Sequence, residues 1–430
     1  MSDKTPIGWK NYKINDLGFI GRGKSRHRPR NEPSLYGGIY PFFQTGDIKE
    51  ADLYLHRYTQ TYNEKGLAQS KLWKPGTLCI TIAANIAETA ILNVEGCFPD
   101  SVVGFIPNNE KSDVRFVKYY IDTIKNKMQN VSRGTTQDNL SIEKILTFNF
   151  LTPPLPTQQK IATILSTYDD LIENNNRRIR ILEEMAQMIY REWFVNFRFP
   201  GHEGMRMVES ELGPVPEGWE VSSLNDEIEP IRGLSYKGAG LSDSGMPLHN
   251  LNSVLEGGGY KFSGIKYYTG VFQEKHKILP GDIIVTNTEQ GFEYRLIGFP
   301  AIVPRCFGEN GIFSHHIYRI RPRPNSYLRR SFVYYLLMTD MVRRQIISYA
   351  NGTTVNMLSI EGLQNPKFIR PPKKIIFLFD EFAQPICDLI ESYTEKNANL
   401  RRTRALLLPK LIRGELDVSG LDIEIPEAEV

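Results

Sequence analysis

The strongest constraint on this chain is that it repeats itself. The segment RGTTQDNLSIE beginning at Arg133 recurs as NGTTVNMLSIE beginning at Asn351, 218 positions later, with seven of eleven residues identical. In the same register Pro153-Pro154 falls on Pro371-Pro372, and Asp170-Leu171-Ile172-Glu173 falls on Asp388-Leu389-Ile390-Glu391, without a gap. Upstream the offset drifts. Gly8-Trp9 matches Gly218-Trp219 at 210, and Pro75-Gly76 matches Pro280-Gly281 at 205. A duplication with so long a period builds two related units, and 430 residues leave room for two or three domains rather than one core. The back of each copy, constant in length, reads as a spacer; the front, altered by insertion and deletion, carries what differs between the copies.

Stepping by four and three from Ile161 gives Ile161, Leu165, Tyr168, Ile172, Asn175, Ile179, Leu182, Ala186, Ile189 and Trp193, apolar at all but Asn175. The positions between, among them Asp169, Asp170, Glu173, Arg177, Arg178, Arg180, Glu183 and Glu184, are polar or charged. That is a heptad seam. The shift of 218 yields a weaker one: Phe379, Ala383, Ile386, Ile390, Tyr393, Asn397, Leu400, Arg404, Leu407 and Leu411. Pro385 and Pro409 are expected to kink the second helix near its start and end. A helix over 157–193 would be ~55 Å long. Two such helices can pack antiparallel about a pseudo-twofold, with Asn175 selecting the register at some cost in stability; alternatively, each covers only its own domain.

Proline pairs mark the entry to each helix, and a Gly/Pro-rich stretch (Pro200, Gly201, Gly204, Gly213, Pro214, Pro216) follows the first. The division read from these signals is a globular domain over 1–155, a spacer helix over 156–199, a linker over 200–215, a second globular domain over 216–371, a second spacer helix over 372–414 and an acidic tail over 415–430. Short β-rich runs at 77–83 and 282–286, with a helical stretch near 114–128, predict twisted sheets with a few helices. The fold class is therefore mixed α+β.

The net charge is only +3, but the tail holds Glu415, Asp417, Asp422, Glu424, Glu427 and Glu429 and no Lys or Arg, so the body before it is basic. Four scattered cysteines (Cys79, Cys97, Cys306, Cys387) form no CxxC pair, which suits a reducing cytoplasm. No run approaches the roughly 18 apolar residues of a membrane span, and the start lacks the apolar core of a signal peptide.

The run GFIGRGKS (18–25) fits a phosphate-binding loop letter for letter. Its sequel refuses the role, because Arg26, His27, Arg28, Pro29, Arg30 and Pro33 cannot begin the helix that would hold the phosphates. The same stretch instead gathers Arg22, Lys24, Arg26, Arg28 and Arg30, with Ser25 and His27 as donors. That set suits a nucleic-acid backbone, or else is a solvated basic loop. No HExxH, paired CxxC or GxSxG motif is present. His315-His316 are read as strand neighbours pointing to opposite faces, unfit for a shared metal. Asn365-Pro366-Lys367-Phe368 lacks the second proline of an amino-methyltransferase loop. The two GTT loops stand just before the helix entries. Thr135, Thr136, Gln137 and Asn139 in one, and Thr353, Thr354 and Asn356 in the other, can bond base edges or phosphates; the competing role is helix capping, by Ser141 and Ser359.

These residues resemble the specificity subunits of type I DNA restriction-modification systems. The resemblance spans essentially the whole chain and rests on PPLPTQQKIATILSTYDDLIENNNRRIRILEEM (153–185), YREWFVNFRFPG (190–201), LLLPKLIRGELDV (406–418), the PxGW openings at Trp9 and Trp219, and PFFQTGDI (41–48). It implies a non-catalytic subunit with two target-recognition domains, each reading half of a split double-stranded DNA site. It implies two modification subunits on the helices, bringing S-adenosylmethionine and adenine methylation, and restriction subunits using ATP and Mg, with no cofactor and no membrane for this chain. Carried over by motif, the reading loops in the first domain are 21–30, Gln44, Thr45 and Asp47, and the Asn85 to Glu88 turn. In the second they are Arg232, Ser235, Tyr236 and Lys237; His249, Asn250 and Asn252; and Asn287, Glu289 and Gln290. The second domain lacks the basic run, keeping only Arg232 and Lys237, and divergent fronts imply an asymmetric target. The competing classes are an interaction scaffold built on the coiled coil without DNA, and a nucleotide-binding protein using the 18–25 loop.

Overall fold

The computed structural model describes residues 6–132, 139–291, 293–352 and 354–425. Contacts divide the chain into two compact units, one from the N-terminal part to Asn174 together with the part from Asn399, the other Asn175–Ala398. Each long helix contributes to both.

In the first unit a five-stranded sheet runs in the order Gly18–Arg22, Val102–Pro107, Leu78–Thr81, Thr89–Leu92, Tyr54–Leu55. All its pairs are antiparallel except the last. The strand Leu78–Thr81 is buried at every position, which is why it reads as an uninterrupted apolar run. The helix Val114–Ser132 starts where the Asp113 carboxylate accepts the backbone N–H groups of Arg115 and Phe116. It is tied to the sheet by a 2.8 Å bond from Thr89 Oγ1 to Asp122. A four-stranded sheet, Gln60–Tyr62, Tyr36–Phe42, Gly96–Cys97, Leu72–Trp73, flanks the first.

The second unit repeats the scheme with the strand set Ile228–Arg232, Ile317–Pro322, Ile283–Thr286, Pro300–Ile302. The registers carry the duplication into three dimensions. Lys10 pairs with Thr152 in one unit and Glu220 with Arg370 in the other, the same positions of the repeat. Likewise Leu140 N–H donates to Ile82 O at 2.9 Å, and Leu358 N–H to Asn287 O at 2.8 Å.

The long helices are Leu155–Phe194 and Lys373–Ile412, 40 residues each. Within the first unit Ile161, Ala162 and Leu165 share a core with Leu411 and Ile412 and with the sheet residues Leu78, Ile80, Val103 and Phe105. Within the second unit Tyr190, Trp193 and Phe194 pack on Phe379, Phe332 and Trp219. The helix segments in each unit are antiparallel. Ile172 is buried with Ile161 and Leu165, whereas Tyr168, Ile179, Leu182, Ile386, Ile390, Tyr393 and Leu400 are half-buried. Pro385 and Pro409 do not interrupt the second helix. Each removes one N–H, and the acceptors four residues back, on Glu381 and Ala405, belong to exposed positions where water can satisfy them.

At the centre of the seam, within the second unit, Asn175 Nδ2 donates to Asn397 Oδ1 at 2.9 Å, and Asn397 Nδ2 donates to Asn176 Oδ1 at 2.8 Å. Asp169, one of the charged positions between the seam residues, is 2% exposed. In the first unit it accepts the Tyr119 hydroxyl at 2.5 Å and pairs with Arg404.

Beyond the second helix the chain turns at Gly414, where φ is +70° and a Cβ would press on Pro6 and Trp9. Val418 is buried in the first unit's core. Lys160 Nζ donates to the carbonyls of Ser419 and Leu421, both at 2.7 Å. The start of the acidic tail is thus part of the fold.

Candidate nucleic-acid interface

In the first unit the glycine-rich run leads out of a strand, not into a helix. Gly18–Arg22 is the sheet edge, and the chain then runs without regular secondary structure through Lys24 and Ser25. The loop is held by its backbone and by small polar groups. Lys24 N–H donates to Phe98 O at 3.0 Å, Gln69 Oε1 accepts the N–H groups of Arg26 and His27 at 2.5 and 2.9 Å, and buried Ser25 bonds Tyr62 at 3.3 Å.

Three of the five cations converge on one residue that spacing does not reveal. Arg22 Nε donates to Asp100 O at 2.5 Å, Arg30 pairs with the Asp100 carboxylate at 2.5 Å, and Arg28 pairs with it at 3.4 Å. Arg28 also donates to Ser25 O and His27 O. Among the described residues Arg22, Lys24 and Arg26 make no ion pair, and of these Arg22 is spent on a backbone carbonyl, which leaves Lys24 and Arg26 as the uncompensated charges of the loop. Beside them Lys71 Nζ lies 3.6 Å from the centre of the Trp73 ring and 5.1 Å from that of the exposed Phe19, and burial lowers its pKa.

Gln44 caps the short helix Thr45–Glu50, its N–H received by Asp47, while its side chain donates to Gln60 at 2.9 Å. Burial raises the Asp47 pKa. The Asn85 turn is closed by Thr81 Oγ1 donating to Asn85 O, and Ala84 and Ala87 have positive φ. The Leu140-to-Ile82 bond brings exposed Asn139 beside this turn. Ser141 caps the helix Ile142–Thr147, accepting Lys144 N–H at 3.3 Å; Ser359 precedes a short 3-10 helix without a side-chain cap bond. Thr135, Thr136, Gln137 and Thr353 lie outside the described residues.

In the second unit the stretches expected to read DNA meet at a turn that the sequence reading set aside. His315 and His316 are not strand neighbours on opposite faces. They occupy a turn between the strands Gly311–Phe313 and Ile317–Pro322, with ring centres 3.8 Å apart. The Arg232–Lys237 segment is joined to it by Leu234 N–H to Phe313 O, His315 N–H to Leu234 O, and Arg232 Nε to His315 O at 3.2 Å. Asn287 is joined to it as well, N–H to His316 O at 3.0 Å and Nδ2 to His315 O at 2.9 Å. The strand Thr288–Gln290 then pairs with Val355–Leu358, which brings Asn356 opposite Glu289, with Thr354 just before that strand.

The predicted residues there divide by exposure. Arg232, Ser235, Lys237, Asn252, Gln290 and Thr354 are exposed and Tyr236 is half-buried. Asn250, Asn287, Glu289 and Asn356 are buried and spend their polar groups on their own chain. Asn250 donates to Leu248 O and Gly264 O, Glu289 accepts the N–H groups of Arg295, Leu296 and Ile297, and Asn356 donates to Gly291 O. His249 is buried against the Tyr260 hydroxyl at 2.7 Å, and burial drives its pKa down to about 3.

The family model for the type I restriction modification DNA specificity domain matches this chain twice, over residues 6–184 and 216–407. The chain belongs to that family. Two of its relatives are the MjaIX specificity subunit of Methanocaldococcus jannaschii, 25% identical with 97% of this chain and 96% of that one covered, and the HindI specificity subunit of Haemophilus influenzae, 24% identical with 67% and 74% covered. The fold is similar to that of the S subunit from M. genitalium, with a TM-score of 0.55, 15% identity, and 96% and 98% of the two chains covered. As a type I specificity subunit the chain is non-catalytic, and the catalytic activities of such systems lie on partner subunits. Its four cysteines are free thiols, and among the described residues no helix is long and apolar enough to cross a membrane.

Proposed function

We propose that this specificity subunit reads a bipartite, asymmetric double-stranded DNA site, one half with each unit. The observation that carries the reading is that equivalent places in two copies of one strand framework hold chemically different contact sets. The first copy has a contiguous basic loop, Arg22 to Arg30, beside the Asn85 turn. The second has Arg232, Lys237 and Gln290 beside a histidine turn. Exposed cations supply phosphate contacts, and exposed amides and hydroxyls read base edges. In that division of labour Asn250, Asn287, Glu289 and Asn356 hold loops in shape, while the exposed Arg26, Asn139, Asn252, Gln290 and Thr354 and the half-buried Lys24, Gln44 and Thr45 face the duplex. If both units engage one face of B-DNA, the half-site centres lie on the order of 10 bp apart.

Two modification subunits are proposed to dock on the long helices, bringing S-adenosylmethionine and adenine methylation; restriction subunits bring ATP- and Mg-dependent translocation and cleavage. The support is apolar exposure where a lone chain gains nothing from it. Ile181, Met185 and Met188, spaced along one helix face, are 50%, 43% and 61% exposed, and Phe382 and Leu389 are 50% and 48% exposed.

The test is to co-express the chain with its modification subunit and map methylated adenines genome-wide by long-read sequencing. A split, asymmetric motif methylated in both halves is the expected result. A complex that forms but leaves no motif overturns the DNA-reading proposal.

A further inference from the structure

The His315–His316 turn gathers positive charge from separate stretches of the second unit. Arg232 ends the strand Ile228–Arg232, and Lys266 begins the strand Lys266–Tyr268, its Nζ 3.4 Å from the Tyr236 hydroxyl. Thr288, which begins the strand Thr288–Gln290, has its hydroxyl 3.1 Å from His316 Nδ1. The groups acting on the His316 ring besides burial are His315, Arg232 and Lys266, and all oppose its protonation. Tyr318, the register partner of Arg232, is the group that Glu361 acts on. Among the described residues neither Arg232 nor Lys266 forms an ion pair. His315 Nδ1 is buried without a hydrogen-bond partner, an unmet polar group at the centre of a cationic cluster.

Two imidazoles, a guanidinium and an ammonium, gathered with no carboxylate ion-paired to them among the described residues, favour an oxyanion with several acceptor oxygens. We propose that His315, His316, Arg232 and Lys266 form a phosphate site on the second unit, and that filling it takes up a proton on the histidine pair. The inference deepens the DNA reading above and rests on it for the source of the phosphate, a duplex backbone. It makes the second unit's grip on DNA pH-dependent, where the first unit's loop relies chiefly on arginines, which stay charged at any working pH. The sign follows from linkage. The bound anion raises the His316 pKa above its lowered value in the free chain, so affinity is greatest below the free value and falls as pH rises through the bound one.

The test has two arms on the full-length chain. In the first, histidine-selective isotope labelling follows the imidazoles of the seven histidines while inorganic phosphate is added. The expected result is shifts confined to His315 and His316, with the His316 midpoint moving to higher pH. In the second arm, duplex affinity is measured from pH 6 to 8.5 for wild type, His316→Gln, His315→Gln and the control His202→Gln, which lies outside both contact sets. One coupled proton tightens wild-type binding by up to about tenfold per pH unit. His316→Gln and His315→Gln should flatten that slope, and His202→Gln should keep it. If duplex binds and both variants keep the wild-type slope, the phosphate site is overturned and the DNA reading stands. If no duplex binds, the DNA reading fails and the first arm decides: phosphate shifts at His315 and His316 uphold the site for free phosphate, and their absence overturns it.

Discussion

Asn397 meets Asn175 across the paired helices as an amide facing an amide, 2.9 Å from donor to acceptor, with Asn397 only 2% exposed. A leucine or isoleucine at either position would bury more apolar surface, so the pair favours one register over greater stability. Because Asn397 also reaches Asn176, truncating it strands two partners. Asn397→Ala is expected to cost about 1 to 3 kcal/mol in denaturant unfolding. The double replacement Asn175→Leu with Asn397→Leu should recover that loss while broadening half-site spacing in the methylated motif. An unchanged unfolding midpoint for Asn397→Ala would remove the amide pair from the account.

Asp169 and Arg404 form the first unit's counterpart to that amide pair, but a charged one. Asp169 is 2% exposed and its partner's side chain 30%. Removing one side of such a pair strands a charge inside, which costs about 3 to 5 kcal/mol, whereas replacing both costs far less. Arg404→Met is therefore expected to lower the unfolding midpoint sharply. Adding Asp169→Asn, which keeps an acceptor for Tyr119, should restore most of it. If the double variant is no more stable than Arg404→Met, the two residues are not coupled.

In the basic loop, Asp100 pairs with two exposed guanidinium groups, those of Arg28 and Arg30. Arg28, Arg30 and Asp100 are 54%, 50% and 31% exposed, and ion pairs at such exposure are worth about 0 to 1 kcal/mol. A duplex phosphate can therefore replace the carboxylate at little cost. Asp100→Ala should strengthen binding to unrelated duplexes at low salt and steepen the salt dependence by up to about 1.8 in log–log slope, two phosphates' worth. Arg26→Ala with Arg28→Ala should weaken binding to every sequence and flatten that slope. Equal slopes in all three proteins would place the loop away from DNA.

Much of this organisation was legible because identity and periodicity are local signals. The 218-residue repeat, the helix entries at Pro154 and Pro372, and the seam through Ile161 and Leu165 required only spacing. The contact clusters did not yield to spacing, because they join residues far apart in the chain. Asp100 reaches Arg28 and Arg30 only once the strand Val102–Pro107 lies beside Gly18–Arg22. Lys266 joins the histidine turn only through the pairing of the strands that carry them. The burial of Asp169 was hidden for a related reason. Heptad spacing assigns it to the polar face of its helix, while Tyr119, from another helix, covers it.

Glu183 offers a test of burial that does not depend on DNA. It sits on the first long helix within the second unit, beside Tyr334, Tyr335 and the Glu184 carboxylate, and burial followed by the Glu184 charge pushes its pKa up to about 7. A carboxyl whose pKa is higher folded than unfolded costs stability when ionised. The cost is full above about pH 7, shrinks as pH falls through the folded value, and vanishes below the unfolded value near 4.5. Glu183→Gln keeps the shape and removes the charge, so it should stabilise the chain at pH 8 by roughly 1 to 3 kcal/mol and leave stability at pH 4.5 unchanged. The measurement is paired denaturant unfolding at both pH values. A Gln variant that gains equally at both would show that the half-buried carboxylate is solvated.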